Sequence, residues 1–587
     1  MKEAIEQIYK NRQKFILIGL TGRIGAGCTT VADFLCKEKD QQGIPLKNFS
    51  SGEINDRTRK QIILNNFYHE NWTPFIKITV SDVMTLMLLE NGIDEFKQLI
   101  KEACDECDAF FEQDENKIRR VFEEFESTKI NLCFDRKAQD FDKKVTDSHK
   151  FIQKKLPDSA SAIKEFLKSK GNAFYTKVYQ LLGDNLRVYG KPSNISASEK
   201  SENIYSISEK VNTFIKIYRE VKREKDEPVY IVIDAFRNPI EMMYFKERYS
   251  ATYLIAINSK DEDITSRLSR GLNLSASDIE QLSKKENPED DILKNLKAFV
   301  SQNIKSCIQK ADIHISNSGT YGNNNFNELY GQLIKLISLI QHPGLVTPSN
   351  DEKMMQVAFT AKLNSGCLSR QVGAAVTNSS GSLVSIGWNS VAEGQTPCLL
   401  RSRSELLSGT QSDSYSDYEK SSKFLVGLKK HSQNVSEKGL NQSFCFKSIY
   451  NKIENEKNQV HTRSLHAEEN AFLQITKYGG EPVKSGTLYT TASPCELCSK
   501  KAYQLGIKRI VYIDPYPGIA SKQILQSGFL RPEMALFKGA IGSAYHRLYE
   551  QIIPYKDELD GLGARPKKEA AEKTAGVCTC GASCSKE

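Results

Sequence analysis

Long apolar runs are missing from this chain. Among its 587 residues no stretch reaches the roughly 18 consecutive apolar positions of a membrane-crossing helix, so no membrane-embedded unit is expected. An export signal is missing as well. Residues 1–22, MKEAIEQIYKNRQKFILIGLTG, hold only a short apolar run, which points to a cytoplasmic protein. In a reducing compartment the 14 cysteines are read as metal ligands or small core residues, not as a disulfide framework. Runs of lysine and arginine interleaved with aromatics are also absent around the chemical motif described below; a polynucleotide groove needs both. The net charge of +8 suits anionic nucleotides without marking such a groove. What remains is a globular composition, 39% hydrophobic and 26% charged, whose length predicts roughly two to four domains.

The chemistry concentrates in residues 464–500, SLHAEENAFLQITKYGGEPVKSGTLYTTASPCELCSK. His466 precedes Glu468 by two residues, and Pro494 opens Pro-Cys495-Glu-Leu-Cys498. One imidazole and two thiolates hold a zinc ion and leave its fourth position open for water. The metal makes hydroxide available near neutral pH, and a carboxylate that is not a ligand, Glu468, moves the protons. The run Gly486–Thr491 reads as a strand. Pro494 suits the first turn of a following helix, with Cys495 and Cys498 on one face. A purely structural zinc site would supply four protein ligands and would not need Glu468. This is the H-x-E…P-C-x-x-C pattern of zinc nucleobase deaminases.

Upstream, the apolar run from Phe15 to Leu20 reads as a buried parallel strand. It leads into Gly22-Arg23-Ile24-Gly25-Ala26-Gly27-Cys28-Thr29-Thr30 and then a helical pattern. Strand, glycine-rich turn and helix make a cradle for phosphate. The spacing fits G-x-x-x-x-G-K-[ST] except that Cys28 stands in the lysine place. The lysine neutralises charge during phosphoryl transfer, so nucleotide binding is expected without kinase chemistry. Thr29 keeps the hydroxyl that would reach magnesium, giving a possible Mg2+-nucleotide site. A second strand, Val229–Asp234, ends in an acid where a Walker-B residue would sit. Strands at 252–258 and 311–317 complete a parallel α/β sheet. Arg267 and Arg270 are read either as a phosphate-facing lid or as a solvated face. Gly183–Arg187 is read as a turn, and Cys104 with Cys107 as structural. The expected divisions are a P-loop NTPase-like unit at 12–340 with a helical insertion at about 53–225, a Pro/Gly-rich linker at 341–350, a second unit at 351–556, and a small-residue tail at 557–587. That tail holds Cys578, Cys580 and Cys584, whose C-x-C-x3-C spacing could bind metal, but the tail is expected to be disordered.

The second unit reads helix, two strands of a hairpin (372–376 and 383–387), an insertion, helix, strand, helix, strand. Residues 391–460 look poor in apolar anchors, as in a lid or an oligomer contact. With SGCLSRQVGAAV, GWNSV, HAEEN, TLYTTASPCELC and GIKRIVYIDPY, residues 351–550 resemble the deoxycytidylate deaminases of the cytidine deaminase superfamily. The resemblance implies a three-layer α/β/α fold and zinc on His466, Cys495 and Cys498. It also implies a proton shuttle at Glu468, with substrate contacts at Asn389 and Ala467. With the lysine-less P-loop unit in front, the chain resembles the bacterial two-domain deoxycytidylate deaminases of phage defence. That implies conversion of dCMP or dCTP to dUMP or dUTP, depletion of the deoxycytidine pool, regulation by nucleotide at the P-loop, oligomerisation, and restraint by a small RNA or protein. Some phage relatives carry a second zinc, for which Cys367, Cys398, Cys445 and His461 are candidates. The rival readings are a polynucleotide-editing deaminase and a nucleotide kinase with an auxiliary deaminase-like unit.

Overall fold

The structure is a computed structural model. It describes residues 1–42, 55–104, 108–128, 132, 134–137, 139–194, 198–286, 295–318, 326–410, 412–431, 438–456, 458, 460–514 and 519–563. Cys107, Cys578, Cys580 and Cys584 lie outside the described residues, as does most of the expected tail.

The chain forms strands β1 (Phe15–Thr21), β2 (Ile76–Ile78), β3 (Val229–Phe236), β4 (Thr252–Asn258), β5 (Ile313–Ser316), β6 (Gly373–Thr377), β7 (Leu383–Trp388), β8 (Ser390–Val391), β9 (Ser464–Leu465), β10 (Thr487–Ala492), β11 (Arg509–Asp514), β12 (Glu533–Leu536) and β13 (Gly539–Ala540). The first sheet runs β13-β5-β4-β1-β3-β2. Its strands β1 to β5 are all parallel. β1 is apolar at nearly every position because both its faces are covered. Leu17 joins Ile231, Ile233 and Leu254 under the helical insertion. Ile16, Ile18 and Leu20 point the other way, toward Val31, Leu35, Leu333 and Ile337.

Among the described residues of the insertion, β2 is the one strand and the rest is helices and their connections. Gly183–Arg187 is no turn: it lies inside the helix Asn172–Tyr189. Gly183, Asp184 and Asn185 favour turns locally, but buried Val178, Leu182 and Leu186 recur at helical spacing and decide the conformation. Arg187 is 3% exposed and donates through Nε to Glu241 at 2.9 Å, with Asp184 at 3.5 Å. It is a core ion pair, not a nucleotide contact.

The second sheet runs β12-β11-β10-β6-β7. β6 and β7 form the expected antiparallel hairpin. The helix Asn350–Lys362 packs on one face through Met355 and Ala358. The helices Ala467–Tyr478 and Glu496–Gln504 pack on the other through Ala467, Ala471 and Ala502. Two glycines permit this closeness. A Cβ on Gly373 would lie 2.0 Å from Ala358 O, and one on Gly387 2.2 Å from Ala467 O.

The segment 391–460 is better anchored than its sequence suggests. Leu406, Tyr415, Phe424, Leu428, Phe444 and Ile449 form a core of their own. Arg401 is fully buried against Glu419, with its guanidinium 4.8 Å from the Tyr415 ring centre and 4.9 Å from that of Phe444.

The two units are stitched together, not linked by a free strap. β13 comes from the second unit yet pairs antiparallel with β5 of the first. In the expected linker, His342 is buried, stacks on Tyr9 at 4.4 Å and bonds Glu558 at 2.8 Å. Glu558 sits in the helix Tyr555–Gly561, so the start of the expected tail is folded and docked. Glu352 is 1% exposed and ties the seam: it pairs with Lys335 at 2.6 Å and accepts from Tyr549 Oη at 2.7 Å. No helix among the described residues is long and apolar enough to cross a membrane.

Candidate active site

Two helix starts face each other beneath the ends of β6 and β10. His466 is the N-cap of the helix Ala467–Tyr478, and Cys495 that of the helix Glu496–Gln504, which places Cys498 in its first turn. Pro494 therefore precedes the cap instead of opening the helix. His466 Nδ1 lies 3.3 Å from Cys495 Sγ and 3.5 Å from Cys498 Sγ. Bond lengths of about 2.05 Å to nitrogen and 2.3 Å to sulfur give a tetrahedral N···S edge of about 3.5 Å, so the three atoms fit a zinc ion. Among the described residues no other group of three or more His, Cys, Asp or Glu side chains is gathered closely enough to hold a metal. Cys495 is held well toward thiolate by hydrogen bonding from Cys498 and by His466. The hydrogen bond to Cys495 and burial raise the Cys498 thiol.

Cys367, Cys398, Cys445 and His461 do not assemble into a second metal centre. Cys398 is buried beside Arg463, and His461 rests 4.5 Å from the Tyr450 ring and 3.8 Å from Glu456.

Glu468 is 4% exposed, and burial raises its carboxyl above the ordinary range. Thr490 Oγ1 lies 3.4 Å from its Oε1. The helix that carries it is fastened to β7 by Asn470 Nδ2 donating to Trp388 O at 3.1 Å. Glu468, His466, Cys495 and Asn389 line one cavity of about 180 Å³, together with Cys367, Ser369, Arg370 and Lys447. Asn389 Oδ1 accepts from Val372 N–H at 2.5 Å, which leaves its Nδ2 for the cavity. Ala467, expected at the substrate, is fully buried in the apolar layer below and does not line the cavity. Arg370 and Lys447 were not expected. Arg370 stands inside the quoted SGCLSRQVGAAV, where a cation two residues before the strand pattern was the available signal; Lys447 lies in the insertion and carried none.

The glycine-rich loop has the conformation its residues demand. Gly25 and Gly27 have φ of 81° and 105°, open to glycine and strained for other residues. Cys28 opens the helix Cys28–Cys36, and burial pushes its thiol up to about 12, so it stays neutral. Thr29 is exposed and Thr30 half-buried. Arg23 pairs with Asp261. Two arginines hold the loop by its carbonyls: Arg237 Nη1 reaches Gly22 O at 3.2 Å, and Arg267 Nη1 reaches Gly25 O at 3.0 Å. Asn317 Nδ2 donates to Ala26 O at 2.8 Å. Arg267 is thus part of the loop's scaffold, while Arg270 is exposed. The Ile24 N–H donates to the buried carboxylate of Glu286 at 3.0 Å, and Arg237 holds that carboxylate at 2.5 Å. Asp234 neither ends its strand, which runs on to Phe236, nor stands free. Its Oδ1 accepts the Val80 N–H at 3.0 Å, at the start of the helix Val80–Asn91.

Residues 348–514 match the family model of the cytidine and deoxycytidylate deaminase zinc-binding region. The deoxycytidylate deaminase of Enterobacteria phage T4 is 28% identical over 168 residues, 28% of this chain and 77% of that protein. The phage T2 enzyme of the same description is 28% identical over 172 residues, 28% of this chain and 79% of its own. A cytosine deaminase of Candida albicans is 32% identical over 90 residues, 15% of this chain and 60% of that one. Among solved structures, the apo dCMP deaminase of cyanophage S-TIM5 is 22% identical, covers 33% of this chain and 100% of its own, and has a TM-score of 0.20. The stretch that folds around His466, Glu468, Cys495 and Cys498 is thus similar to deoxycytidylate deaminases, in a match to the family that begins at residue 348.

Proposed function

We propose that the chain is a zinc-dependent hydrolase that deaminates deoxycytidine nucleotides, dCMP or dCTP, to dUMP or dUTP and ammonia. The observation that carries this reading is the His466–Cys495–Cys498 triangle with the buried carboxylate of Glu468 beside it in one cavity. A zinc ion on those three atoms would polarise a water in its fourth position. Glu468 would carry one proton of the attacking water to ring N3 and the second, from the new C4 hydroxyl, to the leaving amine. C4 gains the oxygen and loses ammonia, with no redox change. Asn389, through Nδ2, faces the deoxyribose. The cations Arg370 and Lys447 at the mouth receive the phosphate.

The test is a panel of CMP, dCMP, CTP and dCTP with ammonia release as the readout. Deoxycytidine nucleotides are the expected substrates, with one zinc per chain by metal analysis. Glu468→Ala is expected to cost on the order of 10³-fold in kcat while zinc is retained. Turnover surviving that change removes the catalytic assignment.

The glycine-rich loop supports a second part of the proposal: the first unit binds a nucleotide and regulates the deaminase, consuming none of it, because Cys28 is neutral where phosphoryl transfer needs a cation. With that control, the activity suits depletion of the deoxycytidine nucleotide pool in phage defence.

A further inference from the structure

The catalytic cavity is not closed on itself. Cys367, Ser369 and Arg370 also line a neighbouring chamber of about 460 Å³. Its other walls include Lys362, Gln371 and Thr491 from the second unit and Gln309 from the first. Gln309 lies in the helix Ile304–Lys310, in the unit that carries the glycine-rich loop. Its Nε2 donates to Asp514 Oδ2 at 2.6 Å, across 205 residues of sequence. The same oxygen of Asp514 receives Arg370. Asp514 is 3% exposed at the end of β11, so its charge is met by these two donors.

Resting on the deaminase reading above, we infer that Gln309 is a positioning residue for the deaminase: by sharing Asp514 it holds Arg370 where the nucleotide's phosphate meets it. Without Gln309, the buried carboxylate loses one of its two hydrogen-bond donors and draws more of its compensation from Arg370, with Lys362 as the other cation nearby. The guanidinium then turns from the cavity mouth into the protein. The chamber is built for an anion. Lys362 and Arg370 face it, and Lys310 follows Gln309. Burial lowers the Lys362 ammonium below its usual value, and Arg370 and Lys310 add to the effect while Asp514 opposes it; a phosphate would relieve the repulsion among the three cations.

The experiment uses the full-length, zinc-loaded protein. KM and kcat are measured for dCMP, and dissociation constants for dUMP and for the phosphate-free control deoxyuridine. Gln309→Ala is expected to raise the KM for dCMP and the Kd for dUMP about fivefold to tenfold, with kcat and deoxyuridine binding held within about twofold. Gln309→Glu should weaken dUMP further, since a second carboxylate competes for Arg370. A melting temperature equal to wild type excludes a folding defect as the cause. Equal loss for dUMP and deoxyuridine, or no loss for either, overturns the inference. Failure of the wild-type protein to deaminate either dCMP or dCTP instead overturns the deaminase reading, and this inference with it.

Discussion

At the scale of single residues, the glycine-rich loop carries a carboxylate where a phosphate cradle would carry its ligand. Glu286 accepts the Ile24 N–H and neutralises Arg237, so it stands in for an anion inside the loop. A nucleotide bound there, as proposed above, would have to displace it. Glu286→Gln keeps an acceptor for Ile24 and releases the charge of Arg237. Affinity for Mg-ATP or Mg-dNTP, measured by calorimetry, should rise about fivefold to tenfold. Unchanged binding would mean that phosphate and Glu286 occupy different places. The loop's spacing, its glycines and its missing lysine were all legible in Gly22–Thr30. Glu286 was not, because its role depends on a fold that brings it to the loop across 262 residues.

At the scale of elements, the deaminase site depends on how closely β7 approaches the helix Ala467–Tyr478. Gly387 sets that distance. A methyl group there would meet Ala467 O at 2.2 Å and Ala471 N at 2.5 Å, both backbone atoms that cannot rotate away. Gly387→Ala should lower stability by about 1–3 kcal/mol in thermal melts. It should lower kcat by more than its stability loss explains, because the displaced helix carries His466 and Glu468. A wild-type kcat in the folded variant would show that the helix tolerates the shift. These elements were easy to read: β1, β3, β4, the hairpin and the presence of both helices follow from apolar runs, Gly/Asn turns and ligand spacing, although the second helix starts just after the expected Pro494. The insertion was not. Its core uses six dispersed residues and the buried Arg401–Glu419 pair, and no periodicity announces a buried arginine.

At the scale of the whole molecule, the seam between the units holds a buried histidine. His314, in β5, is 1% exposed, and its ring lies 5.9 Å from that of Phe537 at the join with β13. Asn258 Nδ2 faces its Nδ1 at 3.5 Å, and Lys335, Glu352 and Lys538 line the same cavity. Burial drives its pKa down to about 4. The folded protein therefore keeps it neutral while the unfolded chain takes up a proton near pH 6.5, so stability falls as pH drops from about 6.5 to about 4. The loss reaches about 3 kcal/mol at the bottom of that window. Urea unfolding across this range should show it, and His314→Phe should remove that part of the pH dependence. An unchanged slope in the variant would place the acid sensitivity elsewhere. The sequence suggested two units joined by a linker. It could not show that Gly539 and Ala540 return to the first sheet, because two small residues leave no strand pattern to read.

That return strand also fixes an order of events during synthesis. β5 is made early and leaves the ribosome with one edge open. The residues that cover it arrive only after the whole deaminase core has been translated. Until then the parallel sheet is an unfinished template with exposed backbone donors and acceptors, the state most prone to pairing with a neighbouring nascent chain. Completion of the first unit is thereby coupled to completion of the second. A chain cut short before Gly539 would lack the strand that closes the first unit, and the first unit on its own would carry an unfinished sheet.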